Sequence, residues 1–143
     1  MSTEQNKAAM SRMVDEFFNK GNADAVDEFM APDFVEHEVL PPGTPPGAEG
    51  LKQLIGMIKT AFPDFHASVD DAIAEGDKVV LNMTWSGTHK GEFMGIPPTG
   101  KHISFGVIDI IRVRDAKASE HWGIMDNMSM MQQLGAMAAP GHD

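Results

Sequence analysis

The stretch Glu120-His121-Trp122-Gly123-Ile124-Met125-Asp126 closes an apolar segment on a carboxylate and runs into a helical pattern. A carboxyl group beside an indole and branched aliphatics loses solvation, which raises its pKa toward the range a general acid/base needs. Two more polar side chains fall among apolar neighbours. His37 lies between Val35 and Val39, and Asp109 alternates with Val107 and Ile111. A buried, unpaired charge is costly, so Asp126, His37 and Asp109 must each be hydrogen-bonded, paired or shifted in pKa. Proton transfer is the chemistry such a set supports. Each residue also has a structural reading: Asp126 as a helix N-cap, His37 as a satisfied core histidine, Asp109 as the partner of an arginine.

Other chemistries have less behind them. The chain has no glycine-rich phosphate loop, no Gly-x-Ser-x-Gly elbow and no His-Glu-x-x-His. Its histidines lack metal-ligand spacing, and nothing in the spacing supports a site from His37, His121 and a carboxylate.

The elements that must position these residues follow from periodicity. Met10, Met13, Val14, Phe17 and Phe18 mark a first helix closed by Gly21, and Ala25, Val26 and Phe29 a short second one. Phe34 to Leu40 reads as a strand with Val35, His37 and Val39 on one face and Glu36 and Glu38 on the other. Pro41 to Gly47 is a stiff loop. Leu51, Leu54, Ile55, Ile58 and Phe62 mark a third helix. Four antiparallel strands follow, His66–Ala74, Lys78–Ser86, Lys101–Arg114 and Lys117–Asp126, then a terminal helix from Met128 to Met137. Helices segregated from an antiparallel sheet predict an α+β domain with a cavity between the layers.

Register comes from the turns. With Asp115-Ala116 as a two-residue turn, Arg114 pairs with Lys117 and Val113 with Ala118. Continued outward, Asp109 falls opposite Trp122, Val107 opposite Ile124 and Phe105 opposite Asp126. Trp122, Ile124 and Asp126 then face the cavity, and His121 faces out. A one-residue slip exchanges these faces and makes His121 a candidate. Val79, Leu81, Met83 and Trp85 point inward from their own strand. The outer face keeps Ile108, Ile110 and Met125, which predicts a homo-oligomer, most simply a dimer.

The 143 residues are expected to form one domain, with residues 1–7 disordered and 138–143 a frayed tail. A net charge of -10 argues against nucleic acid and anionic membranes as partners. No apolar run approaches the roughly 20 residues of a membrane span. The polar stretch Met1 to Lys7 is unlike a signal peptide. With no cysteine in the chain, a cytoplasmic location is expected.

Several stretches together resemble the SnoaL-like polyketide cyclases, or ester cyclases. They are APDFVEH (Ala31–His37), PPGTPPGAEG (Pro41–Gly50), AFPDF (Ala61–Phe65), EGDKV (Glu75–Val79), SGTHKGEFMGIPPTGK (Ser86–Lys101), IDIIRV (Ile108–Val113), EHWGIMD (Glu120–Asp126) and QQLG (Gln132–Gly135). The resemblance implies the fold of nuclear transport factor 2, a cone-shaped barrel of a strongly curved antiparallel sheet wrapped on about three helices. It implies cofactor-free intramolecular aldol ring closure of a polyketide methyl ester, with an aspartate as general acid/base. The position matched to that aspartate is Asp126, with His37 and Asp109 beside it. Trp85, Trp122, Phe105, Phe17, Phe93, Met94 and Ile96 are then expected to hold a small hydrophobic or aromatic substrate. Many relatives carry Asp directly after the His-Trp pair, where this chain has Gly123. If that is the family's catalytic position, Asp109 becomes the leading carboxylate. Two alternatives stand beside the cyclase: another cofactor-free enzyme of this fold (isomerase, dehydratase or epoxide hydrolase), and a non-catalytic binder of small hydrophobic ligands.

Overall fold

The computed structural model describes residues 2–136. In chain order the elements are α1 (Thr3–Met13), a π-helical continuation (Val14–Asn19), α2 (Ala25–Phe29), β1 (Met30–Glu36), α3 (Gly47–Ala61), β2 (His66–Glu75), β3 (Lys78–Thr88), β4 (His102–Arg114), β5 (Lys117–Met125) and α4 (Asn127–Leu134). The strands form one sheet in the order β1-β5-β4-β3-β2. β2 to β5 are antiparallel, and β1 runs parallel to β5. This is the expected α+β architecture, but the sheet stays open instead of closing as a barrel.

The N-terminus is more ordered than expected. Ser2 and Gln5 form a capping box: the Ser2 hydroxyl accepts from the Gln5 N–H and the Gln5 side chain from the Ser2 N–H. Two orphan N–H groups are thereby satisfied, and α1 starts at Thr3 rather than after residue 7. The predicted tail 138–143, and Met137 of the predicted terminal helix, lie outside the described residues. Downstream, α1 loosens into i→i+5 bonding, as in Lys20 N–H to Asp15 O at 2.9 Å. Such π segments often accompany functional sites. Here the successive residues Phe17 and Phe18 both reach the cavity.

The strand register decides what faces that cavity. Asp115 and Ala116 both have positive φ, 52° and 63°, as a type I′ turn requires. Arg114 pairs with Lys117 and Val113 with Ala118, as expected. The next pair is Arg112 with Glu120, leaving Ser119 as an extra residue in β5. This β-bulge reverses the parity of everything beyond it. Asp109 therefore lies opposite Gly123 and Val107 opposite Met125, not opposite Trp122 and Ile124. His121 turns inward, and Trp122 and Ile124 turn outward. The bulged Ser119 is buried, and its hydroxyl donates to the Arg112 carbonyl at 3.1 Å.

Inward from the sheet, Val79, Leu81, Met83 and Trp85 of β3 and Val107, Ile111 and Val113 of β4 join Met10, Val14 and Phe17 in one core. The sheet's other face leaves Ile108, Ile110 and Ile124 exposed. No helix among the described residues is long and apolar enough to cross a membrane.

Candidate active site

β1 enters the sheet with Phe34 buried and Val35 nearly half exposed, so Glu36 follows Phe34 inward. This phase is opposite to the expected one, which had Val35, His37 and Val39 inside. Parallel pairing sets Glu36 beside His121 of β5, and β4 brings Asp109 to the other edge of the same ring. Glu36 Oε1 is 2.6 Å from His121 Nδ1, and Asp109 Oδ1 is 2.7 Å from His121 Nε2. Both carboxylate side chains are about nine-tenths buried.

Burial alone would push the His121 pKa down. Hydrogen bonds and charge attraction from Asp109 and Glu36 outweigh it and hold the imidazole up at about 10. At neutral pH the ring is a cation donating from both nitrogens, one proton to each carboxylate. Gly123 allows this packing. A Cβ there would sit 2.6 Å from Asp109 Oδ1 and 2.8 Å from His121 Cε1, too close for any side chain.

The cluster lines the smaller of two adjoining chambers. The inner chamber is about 40 Å³ and lined by Glu36, Glu38, Asp109 and His121 among apolar side chains that include Phe17 and Phe18. The outer chamber is about 670 Å³, within the range of small-molecule sites. Phe62, Phe93, Met94 and Phe105 help to line it, with Pro41 and Pro42 from the stiff loop and Gly123. Glu38, Leu54, Trp85 and Met125 touch both chambers and form the neck. The inner space admits a reacting group, and only the outer one admits a ring system. Trp85 packs against Phe18, Phe65 and Phe105, and its indole N–H is buried without a partner among the described residues.

Glu36, Glu38 and His121 also sit close enough to gather round a cation, their ligand atoms lying within 4.8 Å of one another. His121 has already committed both nitrogens to carboxylates and holds a proton on each, so the arrangement favours proton chemistry over metal ligation.

The family model that matches is the SnoaL-like polyketide cyclase, over residues 8–134. The chain belongs to this family. It is 30% identical over 119 residues to the nogalonic acid methyl ester cyclase of Streptomyces nogalater, covering 82% of this chain and 89% of that one. It is 32% identical over 132 residues to the aklanonic acid methyl ester cyclase DauD of Streptomyces sp. (strain C5), covering 87% and 78%. Among solved structures it is similar to TsrD of Streptomyces laurentii, with a TM-score of 0.86, 30% identity, and coverage of 96% and 99%.

Within this SnoaL-like domain the expected site residues are dispersed. Asp109, Phe17, Trp85, Phe105, Phe93 and Met94 line the chambers. Ile96 lies in the loop after β3, paired with Phe93 and packed against the core. Asp126 is exposed, and its carboxylate accepts the Ser129 N–H at 3.0 Å as the N-cap of α4. His37 lies on the outer side, because β1 carries Glu36 inward. It stacks on Trp122 with centroids 4.7 Å apart and is 2.9 Å from a Glu120 carboxylate oxygen. Trp122 is therefore also outside, placed there by the bulge. His121, Glu36 and Glu38 are the residues that sequence reasoning left out. The signal for the two glutamates was their shared face in the strand read over Phe34 to Leu40, although β1 ends at Glu36 and Glu38 lies in the bend that follows.

Proposed function

We propose that this protein closes a ring by intramolecular aldol condensation of an aromatic polyketide methyl ester, without a cofactor, using Asp109 as the base. The observation that carries the reading is the His121 imidazolium held between Glu36 and Asp109 in the wall of an apolar cavity. The relatives named as methyl ester cyclases support the substrate class.

His121 fixes Asp109 through Oδ1, while Oδ2 makes no hydrogen bond among the described residues. Asp109 takes a proton from the carbon alpha to a carbonyl. The enolate attacks a second carbonyl of the same molecule, forming the ring bond and leaving an alkoxide. The flat body of the substrate lies among Phe93, Phe105 and Trp85. Its reactive end passes the neck, and the water-poor wall strengthens each charge interaction inside. Incubating the purified protein with an aromatic polyketide methyl ester is expected to yield a cyclised isomer of unchanged mass, separable by chromatography. Tight ligand binding with no isomer formed would replace the cyclase with a binding protein.

The exposed isoleucines on β4 and β5 support a homodimer joined through this face, acting in the cytoplasm on a small hydrophobic substrate. Light scattering in dilute solution is expected to give twice the 15.5 kDa chain mass. A monomer would rule this association out.

A further inference from the structure

Glu38 has no role in the scheme so far, yet among the described residues it is the one titratable side chain on both chambers. It lies in the bend just past the end of β1 and lines the inner chamber together with Glu36. Its backbone N–H donates to Glu36 Oε1 at 2.9 Å, tying it to the oxygen that also takes the His121 proton. Its carboxyl makes no hydrogen bond to any described residue. The other neck residues, Leu54, Trp85 and Met125, carry no exchangeable acid. Any molecule that spans the neck must pass this carboxyl.

We propose that Glu38 is the general acid of the site, giving its proton to the alkoxide formed when the ring closes. This rests on the cyclase reading above. The protons balance in two halves. Asp109 gains a proton from the α-carbon as the C–H electron pair becomes the enolate. Glu38 then loses a proton to the alkoxide, which leaves as a hydroxyl. The proton on Asp109 returns to Glu38 before the next turnover, and the substrate has only isomerised. Separate donor and acceptor groups let each be poised for its own task.

The surroundings push the Glu38 carboxyl pKa up, toward the range a general acid needs. Burial raises its carboxyl first, and the Asp109 and Glu36 charges raise it further, against the opposing His121 cation. Among the described residues those three side chains, from β4, β1 and β5, are the charged groups facing it. The inner-chamber residues from α3 and the π segment are Leu51, Leu54, Phe17 and Phe18.

The test compares Glu38→Gln and Glu38→Asp with wild type, and with Asp109→Asn, over a pH range on an aromatic polyketide methyl ester. Glu38→Gln is expected to lose about 10²-fold in kcat, with KM nearly unchanged and no alkaline limb in the profile. Glu38→Asp should regain part of the rate and keep that limb. A Glu38→Gln rate within about twofold of wild type, beside an inactive Asp109→Asn, would overturn the Glu38 role and leave the cyclase reading intact. An active Asp109→Asn would remove the cyclase scheme and the Glu38 role together. A second measurement does not depend on turnover or on a variant. Carboxyl-carbon NMR of the wild-type protein should show Glu38 titrating above the ordinary 4.5, and a midpoint at or below that value overturns the proposal.

Discussion

Asp109→Asn is expected to lower kcat by about 10³-fold with little change in KM, while Asp126→Ala leaves kcat within about twofold of wild type. The asparagine is nearly isosteric. Its amide oxygen still accepts from His121 Nε2, so the chamber keeps its shape, and what it loses is an oxygen able to hold a proton. Asp126 is placed differently. It is exposed and caps α4 through the Ser129 N–H. Removing it should cost stability of about 1 kcal/mol, as loss of an N-cap does, and leave the chemistry alone. Steady-state rates and urea midpoints on the two variants separate these outcomes. A dead Asp126→Ala beside an active Asp109→Asn would return the acid/base to the end of β5 and remove Asp109 from the mechanism.

The distance between those two aspartates is the distance between sequence and structure in this protein. The layers were legible, because α3 carries a helical period and β3 a clear alternation, and the Asp115-Ala116 turn fixed its first two pairs. Parity failed one residue later. A bulge needs no particular residue type, and Ser119 gives no warning of one. Pattern could not correct the error, because β4 is apolar on both faces: Val107 and Ile111 inside, Ile108 and Ile110 outside. β1 failed for a different reason. The rule that apolar side chains turn inward puts Val35 inside and Glu36 outside. The protein does the reverse, burying a carboxylate so that it can meet His121. Local pattern breaks where function overrides it. Gly123 reads as a missing catalytic group in sequence. In three dimensions it is the space that lets Asp109 touch His121.

His121→Leu is the substitution expected to cost most stability, because two carboxylates depend on one cation. Without the imidazolium, Glu36 and Asp109 face each other across a desolvated chamber with nothing to offset their charge. Breaking a buried pair in this way typically costs about 3–5 kcal/mol. The loss should depend on pH in a particular way. The folded protein holds the His121 proton up at about 10, against an ordinary value of 6.5. The stabilisation from that proton is fully present below pH 6.5 and is lost as pH rises through about 10. Urea unfolding of wild type and His121→Leu is therefore expected to differ most near pH 6.5, less at pH 9, and little beyond pH 10. A difference that stayed level or grew from pH 6.5 to 10 would mean that the ring is neutral in the folded protein. Asp109 would then not be held by a cation, and the imidazole itself would be free to accept a proton.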